Sequence, residues 1–188
     1  MRLAVLDAGR GSITRGRSFS GHPSLGVLEQ AMSDRVDTAS KLIHASASAI
    51  YRAFATPDAM EAWLPPEGMT GRILTFAFRE GGLYRMRLTY DDPQHTPGKT
   101  SENADEVEVS FVRLVPGARI EQAVTFHSDD AAFSGKMRVT WMFDSVPDGT
   151  FVTVRCDNVP VGIRAEDHQA GLASTLSNLA AFVEGTAE

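Results

Sequence analysis

The chain has 188 residues, of which 43% are hydrophobic and 22% charged, a composition typical of a soluble domain with one sizeable core. The formal net charge of −6 argues against nucleic acid or an anionic membrane as the main partner, because both require clustered Lys and Arg. The single cysteine, Cys156, excludes an internal disulfide, and no stretch approaches the roughly eighteen apolar residues of a membrane helix. We therefore expect a cytoplasmic protein.

The first 33 residues do not share the pattern of the rest. Glycines, serines and Pro23 interrupt any periodicity, and the arginines between Arg2 and Arg17 face almost no acidic residues. Met32 would itself make a normal start for a cytoplasmic chain. The sequence predicts that residues 1–33 are a flexible tail or an over-extended gene start, and that residues 34–188 are one folded domain.

The segment from residue 34 to residue 66 predicts one strand and two short helices. The strand covers Val36–His44, and Ser46 or Ser48 can cap the helix that follows. Thr56-Pro57-Asp58 ends that helix and starts the next, because proline is favoured at the first helical position. The second helix covers Ala59–Leu64 and ends at a pair of prolines.

Six further strands follow, separated by turn residues. Glu80-Gly81-Gly82 is a hairpin signature between the first two. From Leu83 to Tyr90, apolar side chains alternate with arginines and Thr89, so one face of that strand should be buried and the other wet. The polar segment Asp91–Asn103 predicts a surface loop. The predicted strands are Gly71–Arg79, Leu83–Tyr90, Glu106–Val115, Arg119–His127, Lys136–Asp144 and Phe151–Asn158.

The last predicted element, Ile163–Glu184, is a long amphipathic helix. Leu172, Leu176, Leu179 and Val183 recur at steps of four, three and four and form one apolar stripe. Such a helix is roughly 30 Å long and needs a partner surface, which the strands supply. Short connections favour antiparallel neighbours. The sequence therefore predicts an α+β fold, a curved antiparallel sheet of about seven strands wrapped around a long C-terminal helix, with two short helices after the first strand.

Several short motifs occur in a characteristic order between residues 34 and 185. They are Ile50-Tyr51-Arg52-Ala53-Phe54 leading through Pro57 to Trp63-Leu64-Pro65-Pro66, Val139-Thr140-Trp141-Met142-Phe143, Asp148-Gly149-Thr150, and Asn158-Val159-Pro160 through His168, Gly171, Leu176 and Leu179. In this order and spacing the chain resembles the helix-grip, START-like or SRPBCC superfamily, and within it bacterial homologues of the C-terminal domain of the heat-shock protein 90 ATPase activator. Many relatives carry Trp soon after the glycine of the last helix, where this chain has Leu172.

The resemblance implies a cavity between sheet and long helix that binds an apolar or amphipathic small molecule. Large, adaptable side chains on the predicted inner face agree with this, although the same side chains can simply fill a core. His168 can anchor a polar group at the cavity mouth or cap a loop carbonyl. The candidate ligand-binding residues are Trp63, Met69, Phe76, Phe78, Tyr84, Met86, Leu88, Trp141, Phe143, His168, Gly171, Leu172 and Thr175.

Signals for catalysis or metal binding are weak. His127, Asp129 and Asp130 span a strand end and a turn, and nothing nearby completes a set of metal ligands. The chain has no glycine-rich phosphate loop, no nucleophile elbow and no Cys–His pair at motif spacing. The sequence therefore predicts no catalytic residues, no metal and no cofactor.

Charged residues on two neighbouring strands have a structural interpretation. Glu106 and Glu108 share one face of their strand, and Arg85 and Arg87 share one face of the strand before it. Cross-strand ion pairs on the wet face explain these residues better than acid–base chemistry does.

Three function classes stay open at this point. The favoured one is a module that binds a hydrophobic small molecule, the second is a protein-interaction role like that of the chaperone activator, and the third is an enzyme such as a cyclase, aromatase or hydrolase. The expected partners are thus an apolar or amphipathic small molecule, or a chaperone or other protein, and the chain is expected to be a monomer or homodimer. An open cavity with polar and apolar lining would favour the enzyme, and a filled core with an exposed apolar patch would favour the interaction protein.

Overall fold

The computed structural model describes residues 34–91, 104–126 and 130–185. The predicted order of a strand, two short helices, six strands and a long helix is confirmed. The elements are β1 (Val36–Ile43), α1 (Ala47–Arg52), α2 (Pro57–Trp63), β2 (Met69–Phe76), β3 (Leu83–Tyr90), β4 (Ala104–Val115), β5 (Arg119–Phe126), a 3-10 turn (Ala131–Phe133), β6 (Lys136–Val146), β7 (Gly149–Asp157) and α3 (Ala165–Gly185). Of these helices, none is long and apolar enough to cross a membrane. The predictions for residues 1–33 and for most of the loop 91–103 lie outside the described residues.

The seven strands form one antiparallel sheet in the order β1-β7-β6-β5-β4-β3-β2. Strands β2 to β7 form a meander, because each pairs with the next strand along the chain. Strand β1 pairs with β7 instead, so the chain between β1 and β2, which holds α1 and α2, crosses from one edge of the sheet to the other. The predicted α+β architecture is thus confirmed.

Helix α3 buries the predicted stripe against the sheet. Leu172, Leu176, Leu179 and Val183 are all buried, and the neighbouring Thr175 is buried as well. Burial of apolar surface contributes roughly 25 cal/mol of free energy per Å², and this contribution stabilises the packing of α3 on the sheet. Glu166 and Asp167 lie in the first turn of α3, where the helix dipole favours negative charge.

Hydroxyl side chains cap the N-termini of both short helices. The Ser46 hydroxyl accepts a hydrogen bond from the Ala49 amide at 3.2 Å, and the Thr56 hydroxyl accepts one from the Ala59 amide at 3.3 Å. These caps satisfy amides that have no partner inside the helix. They also set the direction of α2, whose end brings Trp63 into the core.

The hairpin between β2 and β3 differs from the prediction. Strand β2 ends at Phe76 rather than Arg79, because the chain turns around Phe78, where the Arg79 amide donates to the Ala77 carbonyl at 2.9 Å. A Cβ on Gly82 would lie 2.1 Å from the Ala77 carbonyl oxygen, so the chain can approach itself this closely only with glycine there. Phe78 consequently lies in the turn and not in the strand.

The outer face of the sheet carries the expected cross-strand ion pairs. The Glu106 carboxylate accepts hydrogen bonds from Arg85 at 2.9 Å and from Arg87 at 2.6 Å. The hydrogen bond from Arg87 is the main reason that the pKa of Glu106 is lowered. The prediction of ion pairs between these strands is confirmed for Glu106.

Candidate ligand-binding site

A cavity lies between the inner face of the sheet and helix α3. Its empty space measures about 600 Å³ when its open mouth is included. Side chains from five neighbouring strands, from α3 and from the segment after α2 line it. These residues are Leu64, Pro66, Tyr84, Met86, Leu88, Val107, Val109, Gln122, Val124, Val139, Trp141, Val154, Leu172 and Thr175.

The alternation of side chains along the strands produces this lining. On β3, Tyr84, Met86 and Leu88 point inward and are buried, while Arg85 and Arg87 point outward. The same period of two places every second residue of β4, β5 and β6 on the inner face. An apolar cleft therefore follows from patterning that also builds the sheet.

The polar groups in the lining are few and neutral. Gln122 and Thr175 are both buried, and none of the lining residues that the structure describes is charged at neutral pH. The Trp141 indole N–H donates to the Gln122 side-chain oxygen at 3.2 Å, and the Thr175 hydroxyl donates to the Gly171 carbonyl at 3.0 Å. Burial raises the pKa of Tyr84, so its phenol also stays neutral. The described part of the site thus offers a ligand dipoles but no counter-ion.

Six of the thirteen residues that the sequence singled out line this cavity. They are Tyr84, Met86, Leu88, Trp141, Leu172 and Thr175. Their part in binding a ligand stays a prediction. The other seven lie elsewhere in the domain.

Trp63 and Phe143 belong to an aromatic cluster beside the cavity. The Phe54 ring lies 4.8 Å from Trp63, 5.2 Å from Trp141 and 6.0 Å from Phe143, measured between centroids. The Trp63 indole N–H donates to the Ala53 carbonyl at 2.9 Å, which satisfies its one polar group. These side chains fill the core where α1 and α2 meet the sheet, and Trp141 is the member of the cluster that also faces the cavity.

Phe76 and Phe78 pack at the β2–β3 turn. Their rings are stacked with centroids 6.4 Å apart, and both meet the edge of Phe111, at 6.3 and 5.1 Å. Met69 is half-buried at the start of β2, and Gly171 is buried on α3. None of these predicted residues is in the lining of the cavity described above.

His168 has a partner that the sequence did not indicate. Its Nδ1 lies 2.6 Å from a carboxylate oxygen of Asp37 on β1, and Arg35 donates two hydrogen bonds to the same carboxylate and one to the Ile163 carbonyl. A carboxylate only accepts, so His168 Nδ1 carries the proton. His168 is 1% exposed, and its Nε2 has no hydrogen-bond partner among the described residues. The ring thus fastens the start of α3 to β1 and is not part of the cavity lining.

Sequence reasoning missed more than half of the lining. Eight further residues belong to it, namely Leu64, Pro66, Val107, Val109, Gln122, Val124, Val139 and Val154. The valines carry no sequence signal for this role, because the prediction rests on large, adaptable side chains. A signal for Gln122 did exist, since it occupies the inward position between Ile120 and Val124 on β5. A polar residue in such a place points to a buried hydrogen bond or to a ligand contact.

Of the three residues considered as metal ligands, only Asp130 lies among the described residues. His127 and Asp129 lie outside the described residues. Asp130 caps the 3-10 turn, where its carboxylate accepts a hydrogen bond from the Ala132 amide at 2.9 Å. Within the described ranges, no group of three or more His, Cys, Asp or Glu side chains is placed to hold a metal ion.

The chain is similar in sequence to a known family. Residues 44–184 match the model of a family described as Activator of Hsp90 ATPase homolog 1-like protein. No curated protein matches the chain.

Solved structures from bacteria share the fold. A protein from Chromobacterium violaceum is 30% identical with a TM-score of 0.69, and the match covers 79% of this chain and 96% of that one. An AHSA1-like protein from Aeromonas hydrophila is 19% identical with a TM-score of 0.61, covering 80% and 93%. A protein from Mesorhizobium loti is 17% identical with a TM-score of 0.62, covering 82% and 100%. At the lower identities the likeness concerns the fold alone.

Proposed function

Because the chain belongs to the Activator of Hsp90 ATPase homolog 1-like family, a group with a common curved sheet and long helix, we propose that it binds an apolar small molecule in the cavity between sheet and α3. The observation that carries the proposal is the lining itself. Twelve of the fourteen lining residues that the structure describes are hydrophobic, and the other two are the neutral Gln122 and Thr175. Ligand pockets have this composition, mostly apolar with a few polar groups that fix orientation.

The energetics favour an apolar occupant over water. A water molecule in a cavity needs two to four polar partners, and this lining supplies few. An apolar ligand would instead bury its own surface, and this burial would stabilise the complex by roughly 25 cal/mol per Å² of apolar area. Met86 and Leu88 can adjust their rotamers to the ligand, whereas Trp141 is held by its hydrogen bond to Gln122.

A matched pair of variants tests the proposal. Val124 is buried in the lining, and Val112 points outward from β4 with 49% of its surface exposed. Both are replaced by Phe, and the neutral dye 1-N-phenylnaphthylamine is titrated into each protein while its fluorescence is recorded. We expect the parent protein and Val112→Phe to bind the dye alike, and Val124→Phe to bind at least about tenfold more weakly, because the added ring occupies the cavity.

Thermal unfolding of the same proteins shows whether the space is empty. If Val124→Phe fills unoccupied volume, its melting temperature stays close to that of the parent. Overpacking of a full core would instead cost about 1–3 kcal/mol. A parent protein that does not bind the dye, or a Val124→Phe variant that binds as well as the parent, would overturn the proposal.

A protein-interaction role is the second candidate, and an exposed apolar pair favours it. Leu42 and Phe151 face each other across β1 and β7, and they are 38% and 44% exposed. Adjacent exposed hydrophobic side chains of this kind can form the centre of a docking surface. The family name suggests a chaperone as the partner. Stimulation of an Hsp90 ATPase by the purified chain, lost on replacing both residues by Ser and kept in Val124→Phe, would support this role over the first.

The state of the cysteine supports a cytoplasmic location. Cys156 is free and buried on β7, and burial raises the pKa of its thiol to about 12. A thiol of this kind is inert and suits a reducing compartment, where disulfides are rare.

A further inference from the structure

Gln122 offers a hydrogen-bond donor to the cavity. The Trp141 indole can only donate, so the atom of Gln122 that it contacts has to be the amide oxygen. The orientation of this amide is thereby determined by chemistry. What the side chain can still offer to a bound molecule is its nitrogen with two N–H donors. Gln122 is 4% exposed, so a hydrogen bond formed there would be shielded from competing water.

The lining also sets the charge of the ligand. Among the described residues of the lining there is no Lys, Arg, His, Asp or Glu. A carboxylate or an ammonium group would lose its hydration inside the cavity without gaining a counter-ion, which is strongly unfavourable. The arginines of β3 point to the outer face of the sheet, where they pair with Glu106, so they cannot contact a ligand in the cavity.

We propose that the occupant of the cavity is an uncharged, apolar molecule with one hydrogen-bond acceptor, such as a ketone or ester carbonyl, which the Gln122 amide nitrogen binds. This inference rests on the proposed function and narrows its ligand class. Gln122 is the specificity-determining residue, and the valines and Leu172 supply affinity without selecting a functional group. Trp141 orients Gln122 by holding the amide oxygen.

Three probes of one shape test the ligand class. They are 2-acetylnaphthalene, which has a carbonyl, 2-isopropenylnaphthalene, which replaces the carbonyl by an alkene, and 2-naphthoate, which is charged. Calorimetric titration gives the affinity of each for the parent protein and for Gln122→Met. We expect the ketone to lose about five- to tenfold in affinity in Gln122→Met, and the alkene to change less than twofold. Naphthoate should be the weakest of the three in both proteins.

Two further variants separate ligand recognition from stability. Gln122→Met leaves the Trp141 indole N–H without its acceptor and can lower stability. The double variant Gln122→Met with Trp141→Phe removes both partners, and Trp141→Phe alone keeps the amide. Preference for the ketone should be lost in the double variant and kept in Trp141→Phe, but reduced there because the amide is no longer oriented by the indole N–H.

Different results would overturn the role of Gln122 and the binding of apolar molecules by the cavity. If the alkene binds and Gln122→Met weakens ketone and alkene equally, the cavity binds apolar molecules but Gln122 does not select them. Tighter binding of naphthoate than of the ketone would also overturn the inference. If none of the three probes binds the parent protein, the proposed function itself fails.

Discussion

Three side chains fasten the start of α3 to the edge strand β1. Arg35 and His168 both contact the Asp37 carboxylate, and Arg35 also reaches the Ile163 carbonyl just before the helix. Because Arg35 already balances the charge of Asp37, a second positive charge on His168 would gain little. Protonation would also place a second N–H donor at the buried Nε2, which lacks a hydrogen-bond partner among the described residues.

The titration of this cluster follows from its burial. Burial is the main cause that lowers the pKa of His168 from its ordinary value of 6.5, and the nearby Asp37 raises it only in part. For Asp37, burial raises the pKa, but the hydrogen bonds from Arg35 and His168 outweigh it, so the pKa lies below 3.8. The buried thiol of Cys156, opposite Asp37 on β7, stays protonated throughout. Only His168 in this cluster therefore responds between neutral and mildly acidic pH.

We predict that His168 makes the fold sensitive to mild acid. Below about pH 6.5 the unfolded chain takes up a proton that the folded chain resists, so the His168 contribution is complete above that pH and is lost as the pH falls toward its lower folded pKa. The variant His168→Asn keeps a donor for Asp37 but does not titrate. Its melting temperature should fall less than that of the parent between about pH 7.5 and pH 5.

The comparison of slopes is the decisive quantity, because Asn is smaller than His and lowers stability by a constant amount at every pH. Equal slopes in parent and variant would show that the folded and unfolded chains bind the His168 proton alike. A steeper slope in the variant would show that Asp37 raises the pKa of His168 rather than burial lowering it.

The partner of His168 illustrates what a sequence pattern does not contain. His168 itself lies on the apolar face of α3, one turn before Leu172, and this position accounts for its burial. Asp37 lies 131 residues earlier and carries no local signal. Only the pairing of β1 with β7, which brings β1 to the helix, places the two side by side.

At the scale of elements, the turn between β6 and β7 has a strict steric requirement. Gly149 has a φ of 142°, and a Cβ on it would lie 2.2 Å from the Ile43 carbonyl oxygen at the end of β1. The turn thus packs against the backbone of the neighbouring strand. Gly117, between β4 and β5, has a φ of 66°, but its Cβ would meet nothing nearer than 4.0 Å.

These two glycines make a matched pair. Gly117→Ala should cost about 1–2 kcal/mol of unfolding free energy, the penalty for an L-residue in a left-handed conformation. Gly149→Ala should cost at least about 3 kcal/mol, because the clash with Ile43 is added to the backbone strain. Urea unfolding measures both. Similar losses in the two variants would mean that β1 can move away from the turn at little cost.

Element order was predictable, and element ends were less so. The alternation in β3 and the stripe of α3 each repeat over several residues, so the pattern identifies the element even where a single residue deviates. The predicted strand Gly71–Arg79 includes Phe78, yet β2 ends at Phe76 and the chain turns around Phe78. The glycines that permit this turn follow it in the chain, and their effect on the strand end depends on how closely the chain returns.

At the scale of the whole molecule, the cavity results from the distance between two surfaces. The sheet curves around α3, and the aromatic cluster of Phe54, Trp63 and Phe143 fills the space at one end. Beyond that cluster the inner face of β4 and β5 carries valines, which are too short to reach across to the helix. The empty volume therefore lies where side chains are small.

This explains why the lining was only partly predicted. The inward positions of Tyr84, Met86 and Trp141 followed from strand patterning alone. Large side chains such as Phe76 and Phe143 were expected in the lining, but they fill space in the core. Which inward residues border a void depends on the curvature of the sheet and the height of α3 above it, and neither is encoded in a local pattern.

The most direct measurement is methyl NMR of the full chain during titration with 1-N-phenylnaphthylamine. We predict that shifts concentrate on the methyl groups of the cavity, and that the exposed Leu42, Leu74, Val112 and Val146 do not move. The methyl groups expected to shift are those of Val107, Val109, Val124, Val139 and Leu172. Shifts confined to the exposed residues, or no shifts at saturating dye, would contradict the account of an apolar binding site between sheet and helix.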